Sequence, residues 1–209
     1  MKIYNTSQIY HIYNRGNNKQ TLFFNRENYI YFLQKVRTHI RPHCEILSYC
    51  LMPNHFHFLI YADERTIQPV PPLQAVPRVQ VATSQNHKTT FSEGWRIALS
   101  SYTQAINKQE RRTGSLFTQN TKSKQVSDDW MQLDYRLCCF SYIHQNPVIS
   151  RLAEKAEDWE FSSFRDYMGL RNGTLCNMPL AFKLLGFDKS YLEKLHAQKW
   201  DDKIINGIF

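Results

Sequence analysis

Apolar residues recur along this chain at two spacings, which predict strands in some stretches and helices in others. Alternation, with many β-branched and aromatic residues, predicts strands at 8–13, 45–52 and 55–61. A spacing of three to four residues predicts helices at about 26–40, 94–111 and 129–146, and a short helix at 164–169. The basic and polar stretch 115–126 could supply one more short strand.

Residues with turn and capping preferences mark the ends of these elements. Asn25 can cap the first long helix, and Pro42 ends it. Gly114 closes the second helix, and Pro147 is predicted to terminate the third. The turn at Pro53-Asn54 joins the second and third strands, so we expect these strands to form a hairpin.

The segment 62–92 follows neither spacing. It holds four prolines among Gln, Thr, Ser and Asn, at positions 69, 71, 72 and 77. A long stretch of this kind inside a domain is either functional or disordered, and we interpret it as a mobile insertion. We therefore expect one domain at 1–170 that carries this insertion. A C-terminal helical extension at 171–209, amphipathic from residue 180 onward, is expected to pack on it.

The order of the elements predicts the fold class. Antiparallel strands interleaved with helices are typical of an α+β domain in which helices cover one face of a sheet. A chain of 209 residues is long enough for one substantial core. The fold class by itself does not determine the chemistry.

Charge and aromatic content favour a single-stranded nucleic acid as the partner. The formal net charge is +8, from 26 Lys and Arg against 18 Asp and Glu, and 14% of the residues are aromatic. Positive side chains neutralise phosphates and exposed rings stack on unpaired bases, although a basic protein with a purely internal aromatic core has the same composition. The five cysteines form no C-x-x-C pair, and no apolar run approaches the roughly 20 residues that span a bilayer. We expect a reducing cytoplasm and no membrane association.

The stretch His55-Phe56-His57 in the third strand could bind a metal ion. Alternate side chains of a strand share a face, so the two imidazoles lie on one side, about 7 Å apart along the strand. Two imidazoles fixed on one strand are ready metal ligands if a third group arrives from elsewhere. A histidine pair on the solvated face of a half-buried strand is the alternative.

A tyrosine and an amide share one face of the third long helix. Tyr142 and Asn146 are four residues apart, which places them one above the other. Tyr142 could equally be an amphipathic tyrosine at the edge of the core, and Asn146 a helix end without a chemical role.

Together these stretches resemble the single-tyrosine HUH transposases, and within them the REP-associated tyrosine transposase branch. The resemblance rests on five stretches in one order, which are YHIYNRGNN at 10–18, LMPNHFH at 51–57, GSLF at 114–117, YIHQNPV at 142–148 and WEFSS at 159–163. They cover about residues 8–165, and the insertion and the tail after Leu170 lie outside the match.

The resemblance implies a ferredoxin-like sheet with both histidines on a central strand, a divalent metal ion, and a tyrosine nucleophile on a helix beside it. By position, His55 and His57 are the metal-binding histidines, Tyr142 is the nucleophile, and Asn146 completes the metal site. The implied activity is cleavage and rejoining of single-stranded DNA next to hairpins, through a covalent 5′-phosphotyrosine and a free 3′-OH. The implied location is the bacterial cytoplasm, at the nucleoid.

The residue types suit this chemistry. Imidazole ligands shift the preference of an oxygen-rich site from Mg²⁺ toward Mn²⁺, so we expect either ion to serve. A phenolate is a competent leaving group, which suits a reaction that must run backward to rejoin strands. The energy of the broken bond stays in the phosphotyrosine, so no ATP is needed, and the chain has no Gly-x-x-x-x-Gly-Lys phosphate loop.

Other tyrosines and histidines compete for these roles. Tyr102, with Asn107 five residues further on, is the rival nucleophile, but that spacing aims two side chains at one point less well than a spacing of four. His144 lies about 200° around the helix from Tyr142, so we expect no shared role.

Basic and polar residues near the strand ends are the expected DNA contacts. Asn14 and Arg15 are the leading candidates for DNA contact, because the turn after the first strand places them at the end of the sheet. Four further cations are expected to contact the DNA backbone: Arg111, Arg112, Lys122 and Lys124. A solvated surface is the alternative for the lysines. Two other function classes stay open, a hairpin or single-stranded DNA-binding protein without cleavage activity, and a metallohydrolase that uses a histidine-bound metal and water. The chain could act as a monomer or as a homodimer.

Overall fold

The computed structural model describes residues 3–69, 89–126 and 135–190, together with Leu192 and Lys194. Its strands and helices in chain order are β1 (Gln8–Arg15), α1 (Arg26–His39), β2 (Glu45–Met52), β3 (His55–Ala62), α2 (Glu64–Ile67), α3 (Phe91–Gln109), β4 (Lys122–Val126), α4 (Tyr135–Ile149), α5 (Phe164–Tyr167) and α6 (Met178–Leu185). Short 3-10 turns lie at Asn17–Lys19, Arg41–His43 and Ala156–Asp158. Most of the predicted insertion, the start of the third long helix and the last part of the C-terminal tail lie outside the described residues.

The described strands form one four-stranded antiparallel sheet in the order β2-β3-β1-β4. With α1 between β1 and β2, and α3 between β3 and β4, this is the β-α-β-β-α-β arrangement of ferredoxin-like domains. The predicted α+β class and ferredoxin-like sheet are confirmed. His55 and His57 lie on β3, a central strand, as expected.

Local sequence signals explain where these elements begin. The β2–β3 hairpin pairs Met52 with His55 across the Pro53-Asn54 turn. Asn25 and Asn28 form a capping box at the start of α1, since the Asn28 N–H donates to the Asn25 side chain and the Asn28 side chain accepts from the Asn25 N–H. The predicted hairpin and the predicted cap are both confirmed.

Helices α1 and α3 cover one face of the sheet. Phe56 and Phe58 of β3 point to this face, and the ring of Phe56 stacks on Trp95 of α3 with centroids 5.4 Å apart. Phe32 of α1 and Tyr102 of α3 are fully buried in the same core. This layer is the predicted cover of helices.

Helices α4 and α6 add a second layer on the opposite face. Leu47 of β2 and Leu59 of β3 pack in one core with Phe140 and Ile143 of α4 and Ala181 of α6. Because strand side chains alternate, His55 and His57 share the Leu59 face and project toward α4. Within the described residues, no helix is both long and apolar enough to cross a membrane.

Helix α3 begins earlier than predicted, at Phe91 rather than Gly94. Thr90 and Glu93 form a capping box, in which the Glu93 N–H donates to the Thr90 hydroxyl (3.2 Å) and the Thr90 N–H donates to the Glu93 carboxylate (2.8 Å). The short helix α2 lies at the other end of the predicted insertion, so 62–92 is not structureless throughout.

One more predicted helix boundary is wrong. Pro147 lies inside α4, which continues to Ile149. Proline cannot donate a backbone hydrogen bond, but beyond it the Ser150 N–H still donates to the Asn146 carbonyl (2.9 Å), so the helix continues for about half a turn. The tail helix α6 begins at Met178, where the Asn177 side chain caps it, inside the predicted extension.

Gly94 allows α3 to approach the end of α1. A Cβ atom at this position would lie 2.2 Å from the His39 carbonyl oxygen. We expect Gly94→Ala to lower the free energy of unfolding by about 1–3 kcal/mol, in spite of the better helix propensity of alanine. Urea denaturation measures this, with Ser92→Ala, an exposed change on the same helix, as the control within about 0.5 kcal/mol of wild type. Equal stability of the two variants would contradict the close approach.

Candidate active site

Two histidines of β3 form the base of the site. The rings of His55 and His57 have centroids 5.0 Å apart and are nearly perpendicular. His57 is buried and His55 is half-buried. Burial lowers the pKa of both imidazoles, and the neighbouring histidines lower the pKa of His57 further. Both rings are therefore neutral at pH 7, which is the form that binds metal ions.

Helix α4 lays a phenol and an amide against this pair. The Asn146 Oδ1 lies 3.3 Å from the His55 Nε2. The Tyr142 ring stands perpendicular to the His57 ring, with centroids 5.8 Å apart. The structure thus brings together, within one chain, the four side chains that the sequence predicted for catalysis and metal binding. The roles assigned to them remain predictions.

The core of α4 fixes this orientation. Ile143 and Phe140 are fully buried against the sheet and α6. His144 is buried on another side of the helix, where its Nε2 lies 2.8 Å from the Ser163 hydroxyl. Because α4 is anchored on these sides, the Tyr142 and Asn146 face must lie over β3. The separate position of His144 agrees with the predicted 200° offset.

The Tyr142 phenol sits in a poorly solvated position. Its side chain is only 6% exposed, and this burial raises its pKa above the ordinary value near 10. A hydrogen bond to Asn146 acts in the opposite direction, whereas nearby Cys139 and Cys50 raise the pKa further. The phenol is therefore fully protonated at neutral pH.

The donor set fits a divalent metal ion. The His55 Nδ1 lies 2.6 Å from the Asn54 Oδ1, an acceptor, so this nitrogen carries the proton and the Nε2 has a lone pair. That lone pair faces the Asn146 Oδ1, 3.3 Å away, so these two atoms are close enough to bind one ion together. His57 would add its Nε2, because its Nδ1 faces His11. Among the described residues, no three His, Cys, Asp or Glu side chains are arranged to hold a metal ion, so Asn146 is the candidate for a third protein ligand.

The rival nucleophile Tyr102 lies on the other face of the sheet. Its side chain is fully buried among Phe32, Phe117 and Phe23, and its hydroxyl donates to the Leu22 carbonyl (2.8 Å). A tyrosine in this position is a core residue and cannot reach the histidine pair. The alternative that Tyr102 is the nucleophile is wrong.

A cavity of about 1020 Å³ opens beside the histidines, at the end of β1 and the start of β3. Its walls include His55, His57 and three cations, Arg15, Lys19 and Lys122. None of the described residues that line it is acidic. The cavity can therefore accept a polyanion directly next to the histidine pair.

The comparisons with known proteins bear on this arrangement. No family model matches the chain, and no curated protein matches it. Among solved structures, the chain is similar to a REP-associated tyrosine transposase bound to a REP hairpin, with a TM-score of 0.53 and 16% sequence identity. The match covers 85% of this chain and 87% of that one. The chain has a tyrosine transposase fold.

Within this tyrosine transposase fold, the predicted DNA contacts fall into two groups. Arg15 and Lys122 are exposed and line the cavity. Arg111, Arg112 and Lys124 do not line it. Lys124 instead places its ammonium over the Tyr135 ring, 5.5 Å from the centroid. A contact between these last three cations and DNA remains a prediction.

Asn14 lines the cavity but is almost fully buried. It is only 3% exposed, and its Oδ1 accepts from the Thr118 hydroxyl (2.6 Å) and the Arg15 N–H (2.7 Å). Its Nδ2 donates to the Thr121 hydroxyl (3.1 Å) and to the Thr118 carbonyl (3.3 Å). Because these bonds use the amide fully, Asn14 fixes the loop before β4 to β1, and a contact between this side chain and DNA remains a prediction. Asn14 thereby shapes one wall of the cavity of this tyrosine transposase fold.

Lys19 is a cavity residue that sequence reasoning missed. It follows Asn18 in a turn where both residues have left-handed backbone conformations, with φ of 58° and 52°. Gly16 makes the turn possible, since a Cβ there would lie 2.0 Å from the Gln20 carbonyl oxygen. Gly16-Asn17-Asn18 signalled a turn in the sequence, but no local signal indicated that the turn would aim Lys19 into the site.

Proposed function

We propose that this chain cleaves and rejoins single-stranded DNA next to hairpins, with Tyr142 as the nucleophile and a covalent 5′-phosphotyrosine as the intermediate. The observation that carries the proposal is the convergence of Tyr142 and Asn146 of α4 on His55 and His57 of β3. The structural neighbour supports the same substrate class, because it is a tyrosine transposase bound to a hairpin. At 16% identity it supports the fold directly and the activity only by analogy.

His55, His57 and Asn146 would hold Mg²⁺ or Mn²⁺. Bound there, the ion would offset the negative charge that builds up on the phosphate during attack. The protein contributes neutral imidazoles, an amide oxygen and a rigid strand that sets the spacing between the two histidines. Asn54 holds the His55 ring in the orientation that turns the Nε2 toward Asn146.

The proposed reaction exchanges one phosphodiester for another. The Tyr142 hydroxyl oxygen bonds to phosphorus, and the bond from phosphorus to the 3′ oxygen of the preceding nucleotide breaks. The phenolic proton is lost, and the leaving 3′ oxygen takes up a proton and becomes a free 3′-OH. The reverse reaction, with a 3′-OH as the nucleophile and the phenol as the leaving group, rejoins the strand.

Burial of Tyr142 requires one further step before attack. Its side chain is 6% exposed and is not among the residues that line the cavity. The phenol must therefore become accessible when DNA binds, by a shift of its side chain or of the adjoining end of α4.

The three cations of the cavity are proposed to bind the DNA backbone. We expect Lys19→Ala and Lys122→Ala each to weaken binding of a single-stranded oligonucleotide by about threefold to tenfold, because each removes one phosphate contact. The slope of log K against log salt should fall by about 0.7 for each lost contact. Fluorescence anisotropy over a salt series measures both, with Arg37→Ala on the outer helix α1 as the control. Unchanged slopes in both lysine variants would place the DNA elsewhere.

A denaturing gel tests the proposed function. The chain is incubated with Mn²⁺ and a hairpin oligonucleotide that carries a single-stranded flank, labelled at the 3′ end in one sample and at the 5′ end in another. A 5′-phosphotyrosine retains the 3′ portion of the DNA, so only the 3′ label should migrate with the protein. The 5′ label should appear in a shorter free strand that ends in a 3′-OH.

The burial of Tyr142 favours a second candidate function, a hairpin-binding or single-stranded DNA-binding protein that does not cleave. In the same experiment that protein would shift the oligonucleotide on a native gel and leave it intact on the denaturing gel. A metallohydrolase acting through bound water would cut the DNA without forming an adduct. Because helix α4 contributes its side chains to the histidine pair of the same chain, we propose that one chain is enough to form a complete active site.

A further inference from the structure

A third histidine lies directly behind the proposed metal site. His11 of β1 is 1% exposed, and its Nε2 is 2.9 Å from the Nδ1 of His57. The two rings meet edge to edge and are nearly coplanar, with centroids 5.0 Å apart and 21° between their planes, as an in-plane hydrogen bond requires. His11 belongs to one of the stretches that carry the family resemblance, yet the reaction proposed above gives it no role.

The strand register places His11 there. In the β1–β3 pair, Tyr13 lies opposite His57 and His11 lies opposite Leu59, so His11 and His57 are diagonal neighbours on one face. The Tyr13 ring stacks on the His11 ring, with centroids 4.7 Å apart. The position of His11 is therefore fixed by the sheet and by an aromatic neighbour.

The contact between the two histidines can hold only one proton if both rings are neutral. If the His57 Nδ1 carries that proton and donates it to His11, the His57 Nε2 has a lone pair and can bind a metal ion. If the His11 Nε2 carries the proton, the His57 Nε2 is protonated and cannot bind one. The proton position in this contact thus decides whether His57 is a ligand.

We propose that His11 is a positioning residue, which accepts a hydrogen bond from the His57 Nδ1 and so holds His57 in the tautomer and ring orientation that metal binding needs. The proposal rests on the metal site of the proposed function. It differs from simple core packing, because packing needs the volume of the His11 side chain but not an acceptor atom at the Nε2 position.

Two substitutions of His11 distinguish the need for a hydrogen-bond acceptor from the need for side-chain volume. His11→Gln places an amide near the position of the Nε2, whereas His11→Leu fills similar space with no acceptor. We expect the dissociation constant for Mn²⁺, measured by calorimetry without DNA, to rise about 10- to 100-fold in His11→Leu and by less than about fivefold in His11→Gln. His43→Ala, which removes a buried histidine on another part of the fold, should leave it unchanged.

A second measurement uses the wild-type chain, so it does not depend on the folding of a variant. In ¹⁵N spectra of the metal-free protein, His57 should carry its proton on Nδ1 and none on Nε2. A proton on Nε2, or equal Mn²⁺ affinities of the Leu and Gln variants and wild type, would overturn the role of His11 alone. A wild-type chain that binds no Mn²⁺ would overturn the metal site, and the proposal for His11 with it.

Discussion

Replacing Tyr142 with phenylalanine is expected to abolish DNA cleavage and adduct formation, with a loss of at least about 1,000-fold in rate. The change removes the nucleophilic oxygen and leaves the ring that packs against His57. Single-turnover cleavage of a labelled hairpin oligonucleotide measures the rate. Oligonucleotide binding, measured in parallel by anisotropy, should stay within about twofold of wild type, because Tyr142 does not line the cationic cavity.

Tyr102→Phe is the matched control, since it removes one phenolic oxygen from the opposite side of the sheet. This variant should cleave DNA at the wild-type rate. It should lose about 1–3 kcal/mol of stability, because the Leu22 carbonyl is left without its buried donor. Cleavage that persists in Tyr142→Phe and disappears in Tyr102→Phe would contradict the placement of the active site at α4.

Removing the amide of Asn146 is expected to have the next largest effect. Asn146→Ala deletes the oxygen that lies 3.3 Å from the His55 Nε2, so we expect weaker Mn²⁺ binding. Cleavage should slow by about 100- to 1,000-fold, which corresponds to about 3–4 kcal/mol of lost transition-state stabilisation. Asn146→Asp keeps an oxygen at the same place and should retain Mn²⁺ binding.

Gln145→Ala is the control for this effect, because it deletes the neighbouring amide, about 100° around α4. It should keep Mn²⁺ affinity and cleavage within about threefold of wild type. Calorimetry with Mn²⁺ and single-turnover cleavage give the two readouts. If Asn146→Ala binds Mn²⁺ as tightly as Gln145→Ala does, the amide is not a ligand.

The two motifs of the candidate site could be predicted because their spacing matches the period of the element that carries them. A strand period of two puts His55 and His57 on one face whatever surrounds them. A spacing of four in a helix does the same for Tyr142 and Asn146. The sequence alone did not show that the two faces meet, and this required the family resemblance. In the structure, the packing of α4 against β2 and β3 brings them together.

Features that depend on tertiary contacts were not predictable. Asn14 has the chemistry of a DNA contact, but contacts with Thr118 and Thr121 from more than 100 positions away occupy it. Tyr102 could not be dismissed from the sequence, because helical spacing does not indicate on which side of the sheet a helix packs. The contact between His11 and His57 depends on the register of β1 against β3, which the alternating pattern leaves open.

The central claim is that Tyr142 attacks DNA from α4, and mapping of the covalent adduct tests it most directly. The protein is incubated with Mn²⁺ and hairpin DNA, then treated with nuclease and trypsin, and its peptides are analysed by mass spectrometry. Trypsin should release residues 137–151, a peptide whose only tyrosine is Tyr142. We predict a nucleotide attached through phosphate to that tyrosine. A nucleotide on another tyrosine, such as Tyr13 in the cavity wall, or cleaved DNA without any modified peptide, would contradict it.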